Sequence, residues 1–162
     1  MILIALGANL PSPAGGPPEE TLKAALRRLA GEGITIVKQS GFYRSAAWPN
    51  PSDPPFVNAV AAVETDLDPA ALLAMLHRTE AAFGRERSMP NAPRTLDLDL
   101  VDYDGLIQNG PPLLPHPRME SRAFVLLPLR DVAPDWRHPV SGRRLSELIA
   151  NLPSASIEKL PA

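Results

Sequence analysis

Thr95-Leu96-Asp97-Leu98-Asp99-Leu100-Val101 alternates polar and apolar residues almost without a break. Successive side chains on a strand point to opposite faces. This stretch therefore predicts a half-buried strand, with Leu96, Leu98 and Leu100 on its core face and Asp97 and Asp99 together on the other. The Cα atoms of the two aspartates fall roughly 6–7 Å apart, from a rise of about 3.3 Å per residue.

Upstream, Asp68-Pro69 is a helix start, with Asp at the N-cap and Pro at the first helical position. Leu72, Leu73, Leu76 and Phe83 form its apolar stripe and Gly84 its stop. Phe56 to Thr65 reads as an apolar strand, and Ile34 to Tyr43 as another. Pro17-Pro18-Glu19-Glu20 opens an earlier helix with acids in its first turn. That helix carries Leu22, Ala25, Leu26 and Leu29 and ends at Gly31 and Gly33. Ile2–Leu6 is a buried strand stopped by Gly7. The order is β-α-β-β-α-β, the split, ferredoxin-like pattern of an α/β (α+β) chain. Residues 111–162 add a Pro-rich loop, a helix near Arg118–Val132 and a tail with Leu145, Leu148 and Ile149 on one helical face. The expectation is a single domain over residues 1–162 with a C-terminal helical extension.

Composition narrows the function classes. With 16 basic and 18 acidic side chains the net charge is −2, which argues against a generic nucleic-acid or anionic-membrane binder. The absence of cysteine excludes disulfides, thiolate metal sites and a cysteine nucleophile, and fits a reducing cytosol. Met1–Leu6 lacks a basic n-region and reads as a strand, not a signal peptide. No apolar run approaches the roughly 20 residues of a membrane span. The 20 prolines cluster at 11–18, 49–55, 90–93 and 111–117, marking long, stiffened loops. Arginine outnumbers lysine 13 to 3, which suits bidentate phosphate binding and equally reflects a GC-rich genome.

Two neighbouring carboxylates repel unless a positive charge lies between them, and a hard divalent cation fills that role. A solvated acidic face explains the same pair. Arg85, Arg87 and Arg94 precede them on a loop, an inventory that resembles nucleotide phosphate transfer. The same residues also suit simple ion pairs with Asp97, Asp99, Glu80 or Glu86. Asn58 interrupts the run Phe56-Val57-Ala59-Val60, and a buried amide must find partners in backbone or in a heterocycle. Phe56 and Phe124 are flat faces for a ligand or for the core. His116, between Pro115 and Pro117, is the histidine placed to meet a ligand, whereas His77 and His138 read as structural. No Gly-rich phosphate loop of the familiar kinds is present.

Pro93-Arg94-Thr95-Leu96-Asp97-Leu98-Asp99-Leu100 resembles the signature of the 6-hydroxymethyl-7,8-dihydropterin pyrophosphokinase family. The resemblance extends to Ala5-Leu6-Gly7-Ala8-Asn9-Leu10, Phe42-Tyr43-Arg44-Ser45, Phe56-Val57-Asn58-Ala59, Leu114-Pro115-His116-Pro117-Arg118-Met119 and Arg122-Ala123-Phe124-Val125-Leu126. It implies transfer of the β,γ-diphosphoryl group of ATP to the hydroxymethyl oxygen of the pterin, with release of AMP, in folate biosynthesis. Asp97 and Asp99 would hold two Mg2+ ions and, with Arg85 and Arg94, form the catalytic set. Glu80, Arg85, Arg87, Arg94, Leu100, His116 and Arg122 would surround ATP. Ser45, Ala46, Trp48 and Asn58 would line the pterin, with Phe56 and Phe124 sandwiching its ring. Loops at about 45–55 and 84–94 would close over the reacting groups. A cytoplasmic monomer without nucleic-acid or membrane partners is expected.

The sequence departs from the family pattern at Pro90-Asn91, where many members carry Arg-Trp, at Phe56, where Tyr is common, and at Pro117, where an aromatic often stands. Two other classes share the topology. RNA-recognition domains stack bases on sheet aromatics, but this strand carries Leu and Asp, and the chain has only eight aromatic residues: two Trp, two Tyr and four Phe. A metabolite-sensing module would bind the same ligands and turn nothing over.

Overall fold

The computed structural model describes residues 1–9, 16–46, 55–84, 96–153 and 157–161. Its elements run β1 (Ile2–Ala8), α1 (Pro18–Ala30), β2 (Thr35–Gln39), β3 (Tyr43–Ser45), β4 (Phe56–Glu64), α2 (Pro69–Ala82), β5 (Asp97–Tyr103), α3 (Ala123–Val132), α4 (Leu145–Ala150) and β6 (Ile157–Lys159). A single 3₁₀ turn at Met119–Ser121 precedes α3. The strands form one antiparallel sheet in the order β5-β1-β4-β3-β6, with β2 also paired to β4.

Apolar alternation along the strands divides the core in two. Ile2, Ile4 and Leu6 of β1, Val57, Ala59 and Ala61 of β4, and Leu98 and Leu100 of β5 face α1 and α2. Leu3 and Ala5, Val60 and Ala62, and Val101 face α3, α4 and Trp136. The sheet is thus covered by helices on both faces. Pro18 stands in the first turn of α1, and the stripe Leu22, Ala25, Leu26 and Leu29 is buried as its spacing predicts. The N-cap of α2 forms as read: Asp68 Oδ1 accepts the Ala71 N–H at 2.8 Å. Replacing Asp68 by alanine is expected to cost about 1 kcal/mol, seen as a lower denaturant midpoint at unchanged slope.

Three sequence expectations are corrected. The strand expected over Ile34–Tyr43 is two strands. Ser40 donates its N–H to Val60 O at 2.9 Å, and its hydroxyl accepts the Val60 N–H at 2.9 Å. One side chain thus does the work of a ladder carbonyl, and the chain kinks through Gly41 before β3 rejoins β4. The helix expected near Arg118–Val132 breaks at Arg122, whose backbone is extended (φ −111°, ψ 101°). In one continuous helix Met119 and Phe124 would lie about 140° apart around the axis. The break lets both pack on the same core. Inside α3, Pro128 lacks the N–H that would bond the Phe124 carbonyl. Finally, the C-terminal residues add α4 as expected but also strand β6 on the sheet edge. Among the described residues, no helix is long and apolar enough to cross a membrane.

Candidate active site

Strand register assembles the site. Tyr43 pairs with Asn58, Asn58 with Gly7, and Gly7 with Asp97, one row across β3, β4, β1 and β5. In the neighbouring rows Ser45 pairs with Phe56, and Ala5 pairs with both Val60 and Asp99. Alternation places Ser45, Phe56, Asn58, Asp97 and Asp99 on one face of the sheet, the face that α3 covers further along. Phe124, at the start of α3, packs against that same core. Adjacent strands lie about 4.8 Å apart, so Asn58 and Asp97 are separated by roughly 10 Å, the scale of one small ligand.

The two aspartates are half-buried, with small residues beside them: Gly7 opposite Asp97 and Ala5 opposite Asp99. This donor set fits magnesium, which takes carboxylate oxygens one or two at a time and completes its shell from substrate phosphates and water. Among the described residues no group of three or more ligating side chains stands ready for a metal. A bulge in β5 opposite Leu3 and Ile4 turns a third acid, Asp102, to the same face. Asp102 is buried there, accepting the Trp136 indole N–H at 2.9 Å and the Gly105 N–H at 3.0 Å.

Asn58 is buried, and its Nδ2 has no hydrogen-bond partner among the described residues. An unmade bond of this kind costs about 1–3 kcal/mol, which a ligand acceptor would recover. Its neighbour Gly7 has a packing reason: a Cβ there would come within 2.7 Å of Asn58 Oδ1.

Beyond β5, His116 is tied back by its N–H to the Val101 carbonyl at 2.8 Å. Its Nδ1 accepts the Arg118 N–H at 3.2 Å, which leaves Nε2 as the protonated nitrogen of the neutral ring. Burial, then the positive charges of Arg122 and Arg118, lower the His116 pKa below 6.5, with Asp97 opposing them. The Arg122 guanidinium lies 5.3 Å over the Phe124 ring. A proton titration of His116 followed by NMR is expected to fall below 6.5 and to rise on Arg122→Met; a midpoint at or above 6.5 would contradict this placement. Because the unfolded chain binds the proton first, the stability this neutral histidine contributes is complete above 6.5 and is lost as pH falls from there through its lowered value.

Glu80 meets β5 from the side of α2, the side that Leu100 faces. Glu80, 1% exposed on α2, accepts the Leu98 N–H at 2.7 Å. The Leu100 side chain lies in the core facing α1 and α2. Only its backbone is available on the aspartate side. Ala46 directly follows β3. Trp48, Arg85, Arg87, Arg94 and the pair Pro90-Asn91 lie outside the described residues. His77 is exposed on α2, and His138 is structural as read: its Nδ1 accepts the Val140 N–H at 3.2 Å and its Nε2 lies 3.0 Å from Glu120.

A sequence model of the 7,8-dihydro-6-hydroxymethylpterin-pyrophosphokinase (HPPK) family matches residues 3–134, which contain every residue of this site. The chain belongs to that family. Among its relatives, the 2-amino-4-hydroxy-6-hydroxymethyldihydropteridine pyrophosphokinase of Pseudomonas aeruginosa is 42% identical over 99% of this chain and 96% of its own length. The enzyme of the same name from Synechocystis is 37% identical over 96% of this chain and 77% of its own length. The crystal structure of a Plasmodium falciparum HPPK-DHPS triple mutant superposes on 92% of this chain with a TM-score of 0.70 at 14% identity. That likeness is one of fold, and this chain spans 43% of that longer protein. The HPPK resemblance read from Pro93–Leu100 is therefore borne out at the level of the family. Gly7 and Tyr43, the neighbours of Asn58, lie inside segments that carry the family resemblance but were not assigned to the site; a glycine ending an apolar strand was a further signal for the first.

Proposed function

We propose that this chain transfers the β,γ-diphosphoryl group of ATP to the hydroxymethyl group of 6-hydroxymethyl-7,8-dihydropterin, releasing AMP, in folate biosynthesis. The observation that carries this reading is the row joining Asn58 to Asp97 across Gly7: a buried amide whose Nδ2 has no hydrogen-bond partner among the described residues at one end, and a pair of cation-ready carboxylates at the other. The β5-β1-β4-β3 order, with α1 and α2 on one face, supports a ferredoxin-like topology for the part up to β5, within a single domain spanning residues 1–162.

In this reading Asn58 hydrogen-bonds the pterin edge with help from Ser45, Ala46 and Trp48, while Phe56 and Phe124 hold the ring between them. Asp97 and Asp99 bind two Mg2+ ions, which when bound stabilise charge on the phosphates. Arg85, Arg94 and Arg122 hold phosphate oxygens, and Arg87 and Leu100, the latter through its backbone, lie beside the nucleotide. His116 donates from Nε2. Glu80 fixes the β5 backbone from behind. The hydroxymethyl oxygen bonds to the β-phosphorus, and the bond from that phosphorus to the oxygen it shares with the α-phosphate breaks. AMP leaves with that oxygen, and the hydroxyl proton passes to an Asp97 or Asp99 oxygen. Closure of the segments near 45–55 and 84–94 excludes water from the reaction. We take the chain to work as a monomer in the cytoplasm, whose reducing conditions suit a sequence without cysteine.

The test is purified protein with ATP, magnesium and the pterin, with nucleotide products separated by chromatography. AMP in step with a pterin diphosphate is expected. ADP would mean single phosphoryl transfer and would overturn the reading, as would binding without turnover, the behaviour of a sensing module.

A further inference from the structure

β3 is only Tyr43–Ser45, yet it carries the edge of the pterin side: Tyr43 lies opposite Asn58 and Ser45 opposite Phe56. A strand this short needs holding from outside its own ladder. Glu158 of β6 pairs with Arg44 on its exposed side, and a carboxylate on the last turn of α3, Asp131, reaches it from the core side. Asp131 Oδ2 accepts the Gly41 N–H at 3.1 Å, both of its oxygens lie 3.0 Å from the donating Tyr43 hydroxyl, and Oδ2 also lies 3.0 Å from the Lys159 ammonium.

Lys159 belongs to β6, which pairs with the outer edge of β3, and its ammonium lies 5.7 Å over the Tyr43 ring. The contact is close: a Cβ on Gly41 would come within 2.6 Å of Lys159 Cε. The β6 direction continues at Leu160, whose N–H bonds the Phe42 carbonyl at 2.8 Å. Titration directions agree with a formed junction. Burial and then Asp131 raise the Tyr43 pKa. Although burial opposes it, bonds from Lys159, Gly41 and Tyr43 lower that of Asp131.

We propose that Asp131 is a positioning residue for the pterin side, setting the register of β3 against Asn58 and Phe56 by gathering Gly41, Tyr43 and Lys159. This rests on the function proposed above, because among the described residues Asp131 bonds Gly41, Tyr43 and Lys159 and not those assigned to substrate. It acts through Tyr43 and β3, on the pterin end of the row and not on the aspartate end.

Asp131→Ala is expected to raise the pterin KM about tenfold, the scale of losing hydrogen bonds to a charged group, while the ATP KM and kcat stay within about twofold. Asp131→Asn, which keeps an acceptor for Gly41 and Tyr43, should recover most of the pterin KM. Tyr43→Phe should give an intermediate shift. Hydrogen exchange of Asp131→Ala should quicken at residues 41–46 and stay unchanged in β1 and β5. Equal loss of pterin and ATP affinity, or faster exchange throughout the sheet, would overturn the proposal in favour of a general structural role. A wild-type protein that binds no pterin would overturn the proposed function instead, and the exchange pattern then decides Asp131 alone.

Discussion

Asp97→Asn is expected to lower kcat by about 10³-fold or more, from several kcal/mol of lost charge stabilisation at about 1.4 kcal/mol per factor of ten. The substitution keeps shape and hydrogen-bonding capacity and removes the charge that would hold a divalent cation. Asp99→Asn should behave alike, and the double variant should be little worse than either single one, because residues acting as a unit are not additive. Strand β5 supplies its own control. Asp102 lies on the same face, yet its carboxylate is taken by the Trp136 and Gly105 N–H groups beneath the cover of α3 and α4. Asp102→Asn should therefore lower the melting temperature, as the Trp136 bond is weakened, with kcat nearly unchanged. Turnover by Asp97→Asn within about tenfold of wild type would remove the cation site from these aspartates.

The contrast between Asp97 and Asp102 shows where sequence reading succeeds. Strict alternation fixes the facing of residues 96–100, and Leu96, Leu98 and Leu100 are buried as that pattern demands. Beyond Leu100 the bulge breaks the alternation, and only the partner strand reveals that Asp102 has rotated inward. The Asp68-Pro69 helix start was equally legible, since a cap is a local device. The break at Ser40 was not, because a serine hydroxyl replaces a ladder carbonyl only against the particular amide of Val60, 20 residues away.

Distance in sequence also hid the Asp131 junction, in which Asp131 meets Gly41 from 90 positions away. The candidate site was readable in its chemistry, from two acids, an interrupting amide and a loop histidine between two prolines. Its geometry was not, since strand register is a property of pairs of segments and not of either alone.

Gly7→Ala tests that register at the centre of the site. The added methyl carbon would meet Asn58 Oδ1 at 2.7 Å, Asn58 Cγ at 3.7 Å and the Val57 carbonyl oxygen at 3.8 Å. The first of these is far inside contact distance, so the Asn58 amide must turn or β1 and β4 must part. Overpacking of this kind costs about 1–3 kcal/mol. Both responses move the amide whose Nδ2 awaits a partner, so the pterin KM is expected to rise about 5- to 150-fold, the equivalent of that cost. The ATP KM should change much less, because the aspartates lie on the far side of Gly7. In an Asn58→Ser background the clash is relieved, and Gly7→Ala should then cost little stability, so the two substitutions are strongly non-additive. Additive losses of stability would mean that Gly7 is required for some reason other than the room it leaves for Asn58.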